Sequence, residues 1–156
     1  MSNNGSVDVK ALKDFRKKLE SSLGKQQIDA FIESCAKELA ARLLAKVIKR
    51  TPVGQYPKGS GKVGGTLRRG WTNGKGRGAN EYANSLKVHH FGNVYVIEII
   101  NPVEYAPYVE YGHRTRGGNG WVEGRFMLTI SAEEIQRDAP RILENKLKKK
   151  LGECFQ

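Results

Sequence analysis

Between Leu86 and Gly112 the chain reads LKVHHFGNVYVIEIINPVEYAPYVEYG, and no other stretch restricts the fold as much. Gly92-Asn93 is a two-residue hairpin signal, and pairing outward from it sets Phe91 opposite Val94, Val88 opposite Ile97, Lys87 opposite Glu98 and Leu86 opposite Ile99. Side chains alternate along a strand. Leu86, Val88, His90, Tyr95, Ile97 and Ile99 therefore share one face, and the Lys87 and Glu98 charges meet on the other. Asn101-Pro102 ends the second strand, because proline brings no N–H to a ladder. Tyr105, Tyr108, Val109 and Gly112 follow at helical spacing, which predicts a turn of helix that folds back and lays tyrosines along the hairpin.

Helical patterns flank this centre. Val9, Leu12, Phe15, Leu19 and Leu23 recur at three- and four-residue steps and predict an amphipathic helix stopped by Gly24. Ile28, Phe31, Ile32, Cys35, Leu39, Leu43 and Val47 then mark a helix over Gln26–Arg50, about 37 Å long at 1.5 Å per residue. It must end before Thr51-Pro52, since the residue ahead of a proline is pushed out of helical geometry. At the other end, Phe126, Ile130, Ile135, Ile142, Leu143, Leu147 and Leu151 predict a long helix, broken or kinked at Pro140 and restarted by Asp138 as an N-cap.

Thr51–Ser85 differs in character, with glycines interleaved among lysines and arginines; it predicts a long basic loop whose structured island is Thr66–Thr72. Trp71 within that island either anchors it to the core or serves a binding surface. His113–Arg125, with Gly117, Gly118, Gly120 and Gly124 around Trp121, predicts a second loop. The expected architecture is a single α+β domain over residues 1–156: helices at 1–50, the basic Gly-rich loop at 51–85, the hairpin and tyrosine turn at 86–112, a loop at 113–125, and the last helix at 126–156. A small antiparallel sheet packs against the long N- and C-terminal helices.

The formal net charge is +11, and its distribution is informative: no acidic residue lies between Glu38 and Glu81. Lys58, Lys62, Arg68, Arg69, Lys75 and Arg77 make this loop a candidate contact for nucleic acid or for an acidic protein, with a merely solvated basic face as the alternative. Cys35 and Cys154 form no disulfide framework and fit a reducing compartment. The opening MSNNGSVDVKALKDF has no apolar core like that of a signal peptide, and the best apolar run is interrupted by Glu98, so a soluble chain made inside the cell is expected, with no membrane partner.

Apparent catalytic motifs fail on physical grounds. Gly59-Ser60-Gly61-Lys62-Val63-Gly64 has GxGxxG spacing without a strand before it or a helix after it, and Val63 stands where a phosphate loop needs a hydroxyl. His89-His90, Asn101 and His113 follow the order of a one-metal nuclease, yet neighbouring strand residues point to opposite faces and cannot converge on one ion. No zinc spacing, activated nucleophile or carboxylate pair stands out, so no enzyme and no cofactor is expected.

Thr51-Pro52-Val53, Gly65-Thr66-Leu67-Arg68 with Trp71, Asn101-Pro102-Val103-Glu104 running into Tyr105–Gly112 (YAPYVEYG), and Phe126-Met127-Leu128 together resemble the gene-product-ten family of phage tail components. The resemblance covers most of the chain from about Gln26 onward, and the YAPYVEYG block is its most specific part. Lys58–Lys62 and the lysine-rich C-terminus are less typical of the family. The resemblance implies a structural virion protein of a tailed bacteriophage, made in the host cytoplasm, in the neck where head meets tail, as a head-to-tail connector or tail-completion subunit. It also implies rings of six or twelve copies around the DNA channel, with connector, stopper, terminator or tail tube proteins as neighbours and genomic DNA as a non-specific contact. Trp71, Tyr105, Tyr108, Tyr111 and Trp121 are then candidates for subunit interface or core, since tyrosine and tryptophan favour interfaces. A DNA-binding accessory protein acting in packaging is the alternative; the chain has no groove-reading motif that would give such a protein sequence specificity.

Overall fold

The structure is a computed structural model that describes the backbone of residues 9–74 and 78–154, and the side chains from Lys13 onward. α1 (Val9–Ser22) ends as expected just before Gly24, and α2 (Lys25–Arg50) runs unbroken to the Thr51-Pro52 stop. α2 is the spine. Its best-buried residues are Cys35, Ala40, Ala41, Leu44 and Val47, with Leu44 and Val47 wholly inaccessible. The expected stripe through Leu39 and Leu43 is only half-buried, and Ile28 is exposed. Close packing has moved one residue along because α2 is enclosed on several sides, and small Ala40 and Ala41 let neighbours approach its backbone.

The basic segment holds two helices where one short island is expected: α3 (Thr66–Gly70) and α4 (Ala79–Ser85). α4 packs along α2, burying Ala83 completely and bringing Ala79 and Tyr82 against the core. Residues 51–65 remain a loop.

β1 (Val88–Phe91) and β2 (Val94–Ile97) pair antiparallel in the expected register, Phe91 with Val94 and Val88 with Ile97, around Gly92 at φ +62°. The ladder stops there. Leu86 with Ile99 and Lys87 with Glu98 lie outside it, because Leu86 caps α4 and its N–H is already given to the Ala83 carbonyl. Val88, Tyr95 and Ile97 are half-buried on the face that meets α2, where the Tyr95 hydroxyl donates to Asp29 (2.9 Å) and His90 Nε2 lies 2.7 Å from Glu33.

α5 (Ala106–Tyr111) is the expected turn of helix. The segment after it is a second hairpin rather than a loop: β3 (Gly112–Arg114) pairs with β4 (Trp121–Glu123), His113 opposite Val122, and Gly117 and Gly118 supply the positive φ angles of the turn. α6 (Met127–Glu153) then passes through Pro140 without a break. Proline removes one N–H, the partner of the Gln136 carbonyl, on an exposed side of the helix where water can serve instead. Asp138 is therefore a mid-helix residue beside Arg137 and not an N-cap. The α+β architecture holds, with two separate two-stranded sheets. None of the described helices is long and apolar enough to cross a membrane.

α2 and α6 lie antiparallel and are clamped by ion pairs. Lys46 (2.8 Å) and Arg50 both hold Glu134, and Lys146 crosses to Glu38 (2.8 Å) and to the Ser34 carbonyl (3.1 Å). Hydrogen bonds from Arg50, then from Lys46, hold the Glu134 carboxyl down to about 2 from its ordinary 4.5; Lys146 likewise lowers Glu38. A carboxyl lowered in the folded state contributes stability that is fully present above its unfolded pKa and is lost as pH falls through the folded one. The urea midpoint is expected to fall between pH 4.5 and about 2, with Glu134→Gln flattening that part of the profile. An unchanged acid limb in Glu134→Gln would assign the acid sensitivity elsewhere.

Candidate functional site

Three of the segments that carry the family resemblance meet at Thr51: its own Thr-Pro-Val, Arg68 with Trp71, and Met127. The Thr51 hydroxyl donates to the Val47 carbonyl (2.6 Å) and accepts from Trp71 Nε1 (2.7 Å), with Met127 Sδ 3.4 Å away. Its carbonyl accepts two bonds from the Arg68 guanidinium, at 3.1 Å from Nε and 2.7 Å from Nη2. Asn101 Nδ2 donates to the Leu67 carbonyl (2.8 Å), while Asn101 Oδ1 accepts from Val103 N–H and lies so close to Gly70 that a Cβ there would collide with it. Thr51, Leu67, Arg68, Trp71, Asn101 and Met127, one or more from each of four motifs, are thus linked in one joint around the buried Thr51. Trp71 is 3% exposed, so of its two roles the core anchor is the one the fold uses.

A second joint organises the tyrosine block. Along α5, Ala106 and Glu110 point inward at i and i+4 while Tyr108 and Tyr111 point outward. The buried Glu110 carboxylate accepts from Leu128 N–H (2.9 Å), Thr129 N–H (2.8 Å) and the Thr129 hydroxyl (2.7 Å), capping the start of α6 from outside that helix. Phe126, at φ +46°, offers no cap of its own. Gly112 and Gly124 let the β3–β4 hairpin close onto α5, since a Cβ on Gly124 would strike the Glu110 carbonyl.

This frame holds an aromatic surface. Tyr105, Tyr108, Tyr111 and Trp121 are all exposed, Tyr108 by 58% and Tyr111 by 63%. Tyr108 meets His113 edge-on (6.0 Å between centroids), Tyr111 meets Phe126 (6.4 Å), and Trp121 lies over Gly112. Tyr108 and Tyr111 therefore sit on the second hairpin and the start of α6, not along the first hairpin as expected. None of the three is a buried core residue. The outward face of β1–β2 is a further apolar surface, made by Phe91, Val94 and Val96. The uninterrupted Val94–Ile97 run was its signal, because a half-buried strand should alternate with polar residues.

The basic candidates divide. Arg68 is spent on the Thr51 joint, and Arg69 reaches back to the Gly64 carbonyl (3.3 Å). Lys58 and Lys62 are exposed on a protruding loop, 54–64, whose ends pinch together where Gly64 packs against the Gly54 carbonyl with no room for a side chain. Lys62 lies 5.7 Å from the centre of the Tyr56 ring. Lys75 and Arg77 fall outside the described residues. On α2, Lys46 and Arg50 share Glu134, so the acid-free stretch of sequence gains acids in space.

Among the described residues no three His, Cys, Asp or Glu side chains come together to hold a metal ion. His89 and His90 face opposite ways on β1, and Gly59 and Gly61 belong to the protruding loop rather than to a strand–helix junction.

No curated protein and no solved structure matches the chain. A family model does, over residues 13–112, with the description "Bacteriophage HK97-gp10, putative tail-component". That span includes Thr51-Pro52-Val53, Gly65–Trp71 and the whole Asn101–Gly112 block, and ends before Phe126-Met127-Leu128. With nearly two thirds of its length so matched, the chain belongs to the HK97-gp10-like family of bacteriophage tail components, structural proteins of the virion.

Proposed function

We propose that the protein is a neck subunit, acting in head-to-tail connection or tail completion, and that it assembles as a ring around the DNA channel. The observation that carries this reading is the aromatic surface of Tyr105, Tyr108, Tyr111 and Trp121, held rigidly by the Glu110 and Gly124 contacts yet left uncovered. Large aromatic side chains kept in water on a stiff frame are what a subunit interface uses, because little conformational entropy is lost when they are covered. The outward face of β1–β2 offers a second surface, and a ring requires two different surfaces on each copy. Neighbouring connector, stopper, terminator or tail tube proteins would cover what self-contact leaves open.

Tyr108→Ala separates interface from core. The isolated variant is expected to lose less than about 1 kcal/mol in urea denaturation, as for a mostly exposed side chain, while phage carrying it make heads and tails that do not join. Fully infectious Tyr108→Ala phage would remove Tyr108 from the interface. Cryo-electron microscopy of the virion neck tests the reading as a whole: density for this chain along the tail tube, and none at the neck, would overturn it.

A DNA contact is favoured by one observation, the projection of Lys58 and Lys62 on a loop pinched at its base. Six copies in a ring would carry roughly +66 of formal charge, which DNA in the channel or acidic neighbours would offset. The free protein is expected to bind duplex DNA weakly and without sequence preference at low salt, losing it near physiological salt as counterion release weakens. Binding that survives Lys58→Ala with Lys62→Ala unchanged would place the contact elsewhere.

A further inference from the structure

A groove of about 580 Å³ runs between the first half of α2 and the last half of α6, on the far side of the Lys46–Glu134 clamp. An apolar patch on its floor is crossed by Lys146, which reaches the Ser34 carbonyl and Glu38, and its rim is basic. Phe31 and the buried Ile142 form the floor, with Ala30 and Ser34 too small to fill the space above them. Five basic and two acidic side chains line it, so the groove carries a positive excess. Glu38 is already engaged by Lys146 and by Arg42 (3.1 Å). Arg141, Lys149 and Lys150 have no ion-pair partner among the described residues, and with Glu153 as the one other acid in the lining they leave that edge net positive.

We infer that this groove receives an acidic amphipathic helix from another virion protein. From Gln27 to Arg42 the α2 wall is about 22 Å long, which suits a helix of about four turns. A helix laid between two others buries one apolar stripe and leaves flanking residues at the rim, where glutamates would meet Arg141, Lys149 and Lys150. A second copy's α1 has the apolar stripe but the wrong charge, because Lys13, Arg16, Lys17 and Lys18 would face the basic rim. A nucleic-acid backbone would satisfy the rim and leave the apolar floor uncovered. The α2 wall lies within the residues that the family model matches and the α6 wall, with the free rim cations, beyond them. The inference does not depend on the neck assignment.

The test uses the full chain and a fluorescent synthetic peptide of about 16 residues, with leucines at i, i+3, i+4 and i+7 and glutamates elsewhere. Anisotropy is expected to show binding that weakens about tenfold or more when Arg141→Glu, Lys149→Glu and Lys150→Glu are combined. Ala30→Trp, which fills the floor without altering charge, is expected to weaken it comparably; circular dichroism establishes that both variants stay folded. Three results would overturn the inference: equal binding of a peptide with the same composition and scrambled leucines, displacement of the patterned peptide by duplex DNA at matched charge, or unchanged affinity in both variants.

Discussion

Trp71→Ala should cost about 3–5 kcal/mol, the range for removing a large buried aromatic from a core that cannot collapse around the gap. Trp71 belongs to the same buried cluster as Leu44, Val47 and Met127, and its indole N–H is the donor to a Thr51 hydroxyl that has no access to water. The substitution therefore leaves both a cavity and an unmet acceptor on Thr51. At this chain length the loss corresponds to a fall in Tm on the order of 10 °C. Trp71→Phe keeps most of the volume and loses the hydrogen bond, so about 1–2 kcal/mol is expected there. Urea denaturation followed by circular dichroism measures both. A loss below about 1 kcal/mol in Trp71→Ala would mean that the Thr51 joint is not what holds α2, α3 and α6 together.

The β1–β2 register was legible because a Gly-Asn turn and the alternation of side chains specify the same pairing, and one residue of slippage would turn Tyr95 and Ile97 outward. Helix ends at Gly24 and Thr51 were legible for equally local reasons. α4 was not, because glycine and lysine dominate its surroundings and hide a short apolar period in Ala79, Tyr82, Ala83 and Leu86. The β3–β4 hairpin was hidden in the same way by the glycines of its turn.

Orientation was the least accessible property. Helical spacing identified the tyrosines of α5 as neighbours, but a single turn of helix does not say which side faces inward, and hydrophobicity pointed to the wrong one. Ala106 and Glu110 took the interior, because the start of α6 needed an acceptor and because small Ala106 fits the core. Charge was misleading for a related reason. Arg68 looked like a nucleic-acid contact by sequence neighbourhood, whereas in space its guanidinium completes the hydrogen bonding of a buried carbonyl. Burial of α2 beneath α4 and α6 sets these choices, and no single segment contains that information.

Glu110→Ala is expected to cost about 2–4 kcal/mol, a large effect for a residue whose type is ordinarily found in water. Two backbone N–H groups and one hydroxyl at the start of α6 give their hydrogen bonds to this carboxylate, and Phe126 has no side-chain acceptor to take its place. Bonds to a carboxylate are worth more than neutral ones, and a helix N-terminus favours negative charge, so the two contributions act together. Glu110→Gln keeps the shape and one carbonyl acceptor, which should recover roughly half of the loss. The damage should also be local. Amide exchange is expected to rise at Leu128 and Thr129 and through the β3–β4 hairpin, whose Gly124 packs on the Glu110 backbone, while the β1–β2 ladder and the centre of α2 stay protected. Since the aromatic surface is mounted on this joint, Glu110→Gln phage should lose joining efficiency even where the isolated variant remains folded. Protection at Leu128 and Thr129 that is unchanged in Glu110→Ala would show that water or another donor set caps α6, and would detach the aromatic surface from the joint that is proposed to hold it.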